Sequence, residues 1–311
     1  MSSGFLFIDK PTEITSHDVV NISRKKLGIR KIGHSGTLDP FASGLLILGV
    51  GRATRLLEYL KDFDKTYSVR MKLGLITDTF DITGKIVEER SEWNNLTEDE
   101  IVHALKDFEG EYLQVPPAYS AKRHKGKRLY QLAREGKIIN LPPKKVKVFS
   151  ISSVEIDLER GEVAFCARVS SGTYIRSLVM DVGYRLGCGA TTIYLRRTKI
   201  GNFSVHEAIV PAEISTISLK EPDEVISSFL PSIIVSEEHG KAILNGCQIW
   251  LKGIIGLDGQ FKKDDLVRIT DEKGKFLAIA QAERTSRFIK KLLEKKENQR
   301  VAKLLKVIGD Q

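Results

Sequence analysis

The chain has 311 residues, 41% hydrophobic and 29% charged, with a formal net charge of +9, a composition that fits a soluble globular protein of about two domains. No run of residues reaches the ~18 consecutive apolar positions of a membrane span, no signal-peptide pattern opens the chain, and a cytoplasmic location is expected. Cys166, Cys188 and Cys247 are far apart and form no C-x-x-C pair, which argues against a zinc site or a disulfide framework.

Phe5 to Ile8 reads as a short apolar strand stopped by Asp9-Lys10-Pro11, so Lys10 falls at a strand end. Ser16 is expected to cap a helix that runs to Leu27 and stops at Gly28. From Gly33 to Gly51 come five glycines and one acid, Asp39, followed directly by Leu45-Leu46-Ile47-Leu48, a run with the length of a buried strand. A polar loop anchored by such a strand is a place to display a reactive side chain, which makes Asp39 the first candidate.

A helix is expected from Arg52 to Leu60, then a half-buried strand with Tyr67, Val69, Met71 and Leu73 on its apolar face. Gly74 to Gly84 reads as a loop with two carboxylates, Asp78 and Asp81, and Thr97 with Glu100 forms a capping box for a helix ending at Gly110. Val115-Pro116-Pro117 must be extended and leads into a basic stretch, residues 118–150. It carries Lys122, Arg123, Lys125, Lys127, Arg128, Arg134, Lys137, Lys144, Lys145 and Lys147 against Glu135 alone, with a short helix expected from Arg128 to Glu135. This reads as a projecting arm able to close on a bound ligand.

Two alternating runs between Val146 and Ser170 meet at Glu159-Arg160-Gly161 as a hairpin. Ser171 to Arg176 turns into a helix ending near Leu186, and Ile193 to Leu195 forms a strand before Arg196 and Arg197. Patterning weakens up to Pro231, where a domain boundary is placed, and a basic amphipathic helix is expected from Ser286 to Leu305. Between Arg284 and Lys306 that region holds Arg284, Arg287, Lys290, Lys291, Lys295, Lys296, Arg300, Lys303 and Lys306 against Glu294 and Glu297. Two basic segments on an otherwise acidic body form an electrostatic footprint for a polyanion, nucleic acid above all.

Gly49-Val50-Gly51 lacks the third glycine of a dinucleotide fingerprint, Gly44 is not followed by the Lys and Ser or Thr of a phosphate loop, and the six histidines make no metal-binding spacing. No cofactor or metal is therefore expected. His34, Asp39, Tyr67 and Arg176 remain, each of which also has a structural reading as turn, core or salt-bridge residue.

The segment Gly33-His34-Ser35-Gly36-Thr37-Leu38-Asp39-Pro40-Phe41-Ala42-Ser43-Gly44-Leu45-Leu46 resembles the active-site motif of the bacterial tRNA pseudouridine-55 synthases, the B-type family of pseudouridine synthases. The likeness continues through Asp9-Lys10-Pro11, Lys65-Thr66-Tyr67, Thr77 to Gly84, Val115 to Lys122, Ser171 to Arg176 and Ile193 to Arg197. The C-terminal segment is similar to PUA-type RNA-binding domains.

The resemblance implies an α+β fold, with a mixed, mainly antiparallel sheet flanked by helices over residues 1–230 and a small, mostly β PUA-like domain over 231–311. It implies isomerisation of a flipped-out uridine in the tRNA T-loop, with Asp39, Tyr67 and Arg176 catalytic and Arg176 keeping Asp39 ionised. His34, Tyr174, Leu195, Lys10 and Asp78 would contact the substrate. Lys122, Arg123, Lys125, Lys127, Arg128, Arg196 and Arg197 would hold the RNA, a T-arm and acceptor stem gripped by a monomer. A non-catalytic RNA-binding or chaperone protein on the same fold is the main alternative, and metal-assisted hydrolysis a weaker one.

Overall fold

Alternation along Lys65–Leu73 buries Lys65, Tyr67, Val69, Met71 and Leu73 and turns the residues between them outward, the period-two pattern of a strand with one face on a core. A computed structural model describes residues 3–117, 119, 123–124, 127–128, 141–295 and 298–309, with 123, 124, 127, 128 and 295 described as backbone only. In it this strand lies inside a nine-stranded sheet. The sheet runs in the order Gly4–Lys10, Ser43–Val50, Ala190–Ile200, Lys65–Leu73, Glu162–Val169, Lys144–Asp157, Gly110–Gln114, with Ile32–His34 and Phe203–Ser204 as short additions. Ser43–Val50 and Ala190–Ile200 pair in parallel, and the pairs from Ala190–Ile200 out to Gly110–Gln114 are antiparallel, so the expected mixed, mainly antiparallel α+β architecture is present.

Helices Glu98–Lys106 and Ile175–Arg185 cover one face. Ile101, Leu105, Leu178 and Val182 pack there against Val69, Met71 and Phe165 in one core. Backbone contacts group Leu6–Leu48 with Thr54–Ser218, and gather the chain from Leu219 onward with Gly49–Ala53 and the N-terminal residues up to Phe5. The second unit holds a six-stranded sheet with its own core around Ile233, Val267, Ile269 and Ala280. Its basic helix spans Ser286–Lys295, not to Leu305 as expected. Arg300–Val307 is instead a strand, because Val301 and Ala302 are buried and the segment pairs with Phe276–Ala282, where ladder bonds outweigh helical amphipathicity.

The arm is described only in part. Lys122 and Lys125 lie outside the described residues, as does nearly all of the helix expected from Arg128 to Glu135. Arg123–His124 and Lys127–Arg128 pair as two antiparallel strands, so Arg128 begins no helix.

Three side chains fix the backbone around Asp39. The helix Ser16–Leu27 is capped by Thr15, not Ser16: the Thr15 hydroxyl accepts the Asp18 N–H at 3.0 Å, and Asp18 accepts the Thr15 N–H in return. Ser16 is thereby free to clasp Leu38, accepting its N–H at 2.8 Å and donating to its carbonyl at 3.1 Å. Arg197, 2% exposed, donates to the carbonyls of Leu45, Gly36 and Thr37. Lys10, fully buried, donates to the carbonyls of Pro11, Ile14 and Pro40. The family resemblance assigns Lys10 to substrate and Arg197 to RNA; Lys10 is buried and committed to main-chain carbonyls, while Arg197 makes the same kind of bonds and also lines the cavity that Asp39 faces. A buried cation must be fully hydrogen-bonded to persist, and these carbonyls are what the loop supplies.

Gly44 is the glycine this arrangement requires. Its φ is +106°, and a Cβ there would lie 2.2 Å from the Arg197 carbonyl oxygen, where the two parallel strands meet. Gly44→Ala should lower the unfolding free energy by about 3 kcal/mol, combining a left-handed conformation with a backbone clash. A thermal melt superimposable on wild type would show that the strands can part without cost. Burial pushes the Lys10 ammonium down to about 8, against a weaker pull upward from Asp39. The unfolded chain then holds a proton the folded chain has lost, so this residue's contribution to stability rises with pH from about 8 to about 10.5. Lys10→Met should flatten the pH–stability curve over that window in denaturant titrations, and an unchanged slope would show that Lys10 keeps its ordinary affinity for the proton.

Candidate active site

Asp39 follows the clasped Leu38, and its own carbonyl accepts the Ala42 N–H at 3.1 Å, so a tight turn presents its carboxylate. The side chain is about a third exposed, at 34%, and faces a cavity of about 540 Å³. A volume of this size suits a single nucleotide-sized group.

Arg176 lies in the first turn of Ile175–Arg185, with its side chain 4% exposed. Its Nε donates to Asp39 Oδ2 at 2.9 Å, and Nη1 lies 3.3 Å from Asp81 Oδ2. Nη1 also donates to the Thr79 carbonyl at 2.6 Å and Nη2 to the Tyr119 carbonyl at 2.9 Å. One buried guanidinium thus joins two carboxylates and two carbonyls. Its planar fork of five donors can do this, and a lysine ammonium cannot.

Asp81 is a member of the site that sequence reasoning misses. The chain marks it only as a loop acid, and the family resemblance favours Asp78 for substrate contact. Asp78 accepts the Lys85 N–H at 2.8 Å, does not line the cavity, and organises the loop instead. Asp81, 6% exposed, takes the Thr79 hydroxyl, the Thr83 N–H and the Thr83 hydroxyl on Oδ1 and turns Oδ2 to Arg176. The threonines on either side of it are the available hint, since short hydroxyl side chains commonly satisfy a buried carboxylate.

His34, Asp39, Tyr67, Tyr174, Arg176 and Leu195 all line the one cavity. Sheet order explains it. Ala190–Ile200 lies between Ser43–Val50 and Lys65–Leu73, with Arg196 opposite Ser43 and Arg197 opposite Tyr67, so Leu195 at mid-strand, Tyr67 and the loop that precedes Ser43 lie side by side. Tyr67 is nearly buried, with an apolar ring as one wall. Lys65 and Lys61 also line the cavity and are not singled out by the sequence. Burial pushes the Lys65 ammonium down to about 8, while it donates to the Phe63 carbonyl at 2.6 Å and to the Lys61 carbonyl. Arg196 is half-buried and held by a two-pronged pair to Asp9 at 3.0 and 2.7 Å, so the expected phosphate contact has a carboxylate in its place. For Arg123, Lys127 and Arg128 the description stops at the backbone.

Among the described residues that line the cavity, Asp39 is the one carboxylate, and Asp81 lies behind Arg176. The opposed pair of acids that ordinary glycoside hydrolysis uses is therefore not offered there. No cluster of three or more His, Cys, Asp or Glu able to hold a metal occurs among the described residues. No helix among them is long and apolar enough to cross a membrane. The arrangement suits a single carboxylate, steered by a guanidinium, acting on a flat ring bound against tyrosine.

Comparison with known proteins identifies the family. Residues 24–175 match the TruB family pseudouridylate synthase N-terminal domain. Residues 176–234 match the tRNA pseudouridylate synthase B C-terminal domain, and 231–305 a PUA domain. The tRNA pseudouridine synthase B of Thermotoga petrophila is 54% identical over 314 residues, covering 99% of both chains. That of Aquifex aeolicus is 39% identical, covering 89% of this chain and 95% of its own. Among solved structures, an H/ACA RNP bound to a substrate RNA containing 2′-deoxyuridine has a chain 28% identical with a TM-score of 0.75, covering 99% of this chain and 85% of that one. A Cbf5-Nop10-Gar1 complex has a chain 30% identical with a TM-score of 0.74, covering 98% and 85%. The chain belongs to the tRNA pseudouridine synthase B family, isomerases that convert uridine in tRNA to pseudouridine.

Proposed function

We propose that this enzyme isomerises uridine-55 in the T-loop of tRNA and that Asp39 is its catalytic group. The observation that carries the reading is the Asp39 carboxylate, bonded to the buried Arg176 at 2.9 Å and open to a cavity walled by Tyr67 and Tyr174. In the reaction the bond from ribose C1′ to N1 breaks, the detached uracil turns, C1′ joins C5, and the C5 proton is lost as N1 gains one. Atoms and electrons balance within the nucleotide, so no redox partner is needed. Asp39 would act as the nucleophile or base that opens the glycosidic bond.

Tyr67 would stack on the uracil and stand near C5, while His34, Tyr174 and Leu195 complete the walls. Arg176 would hold Asp39 in line, with Asp81 as counter-charge on its far side. The uracil must leave its stack to reach Asp39 in the cavity, at a cost of a few kcal/mol that phosphate contacts and stacking offset. The basic arm and the PUA domain are proposed to supply those contacts on the T-arm and acceptor stem, largely by shape. In this division residues 1–230 perform the chemistry and 231–311 help hold the RNA.

Asp39→Asn should bind a T-arm hairpin within about two-fold of wild type and release no tritium from C5-labelled uridine, because a neutral amide cannot serve as nucleophile or base. Turnover by this variant at the wild-type rate would remove Asp39 from the mechanism. The non-catalytic alternative predicts no release by either protein. Replacing Arg123, Lys127 and Arg128 together by alanine should weaken binding to all T-arm hairpins alike and reduce the slope of log affinity against log salt by about 0.7 to 0.9 for every phosphate that is no longer neutralised. An unchanged slope would place the phosphates elsewhere.

A further inference from the structure

The helix that carries Arg176 does not cap itself. Thr15, Thr97 and Ser236 each accept an N–H at the start of their own helices, and Thr285 accepts the Phe288 N–H at 3.1 Å at the start of Ser286–Lys295. Tyr174, which opens Ile175–Arg185, supplies no side-chain cap. Its backbone is held instead by Gln114, the last residue of the strand Gly110–Gln114, which is 1% exposed. Gln114 Oε1 accepts the Tyr174 N–H at 2.8 Å, and Nε2 donates to the Tyr174 carbonyl at 3.0 Å, the same carbonyl that accepts the Leu178 N–H.

Because the Tyr174 N–H can only donate, the amide has one workable orientation. Its second N–H then goes to the Tyr112 hydroxyl. Two further bonds join the segments. Ser177 Oγ donates to the Val115 carbonyl at 2.9 Å, and Arg176 Nη2 to the Tyr119 carbonyl at 2.9 Å.

We propose that Gln114 is a positioning residue for the isomerisation: its side-chain amide holds the Tyr174 backbone, and so sets where Arg176 meets Asp39 and where the Tyr174 ring walls the cavity. The proposal rests on the reading of Asp39 as the catalytic group. A shift of about 1 Å in a reacting constellation can lower a rate by roughly 100-fold, so a backbone clamp two residues from Arg176 carries leverage out of proportion to its size. Gln114 does not line the cavity, so RNA affinity should be nearly indifferent to it.

The test compares Gln114→Met, which keeps the shape and deletes the bonds, with Gln114→Glu and Asp39→Asn, using single-turnover rates and RNA dissociation constants on a T-arm hairpin. Gln114→Met should slow the single-turnover step roughly 10- to 100-fold while Kd stays within about two-fold. In Gln114→Glu a protonated carboxyl offers one donor and one acceptor, enough for the two bonds to the Tyr174 backbone, and burial favours that form. Its rate relative to wild type should therefore recover as pH falls from about 8.5 to about 7.5, above the range in which Asp181, pushed up to about 6 by burial, takes its own proton. A wild-type rate for Gln114→Met, or a loss confined to affinity, overturns the proposal. So does a Gln114→Glu ratio that is flat with pH, and this comparison decides the matter if Gln114→Met fails to fold. Turnover by Asp39→Asn would instead defeat the reading beneath it.

Discussion

A guanidinium buried between two carboxylates is the constraint from which the rest of the site follows. Arg176 is too enclosed to keep its charge without partners, and its partners are Asp39 at 2.9 Å, Asp81 at 3.3 Å and the carbonyls of Thr79 and Tyr119. Removing either carboxylate would leave a buried cation short of counter-charge. The loop with Asp81, the loop with Asp39 and the backbone at Tyr119 are thus drawn to one point by a single side chain. Asp39 alone of the two acids also faces the cavity. That asymmetry divides them into one that can meet a substrate and one that holds its partner.

Rigidity around Asp39 comes from cations and hydroxyls committed to main-chain carbonyls. Ser16 clasps Leu38, Lys10 reaches Pro40, and Arg197 spans Gly36, Thr37 and Leu45. Glycine-rich sequence suggests mobility, yet Gly44 serves close strand approach, and its neighbours are tied on several sides. Preorganisation of this kind is what a carboxylate needs if it is to meet a sugar carbon or a ring carbon at a fixed angle without first losing freedom.

Much of this is legible in the chain. Period-two burial announces Lys65–Leu73, the run Leu45 to Leu48 announces a buried strand, and Thr97 with Glu100 announces a capping box that the structure contains. Six residues expected at the site do share one cavity. What spacing does not tell is which polar groups use their bonds internally. Lys10, which the resemblance places at the substrate, is buried and bonded to main-chain carbonyls, because burial is decided by strands far away in the chain. Asp78 and Asp81 differ only in which one the loop turns inward. Ser16 yields the cap to Thr15 because Asp18, not residue 19, closes the box. The basic helix ends early for a related reason: the second half of its expected span alternates well enough to complete a sheet.

The most direct measurement is the crystal structure of the enzyme bound to a T-arm hairpin. The account predicts the target uracil flipped into the cavity against Tyr67, with C1′ of its sugar or a carbon of its ring in van der Waals contact with the Asp39 carboxylate, and with Arg176 still joining Asp39 and Asp81. A uracil held outside the cavity, or bound with Asp39 turned from both sugar and ring, would contradict it.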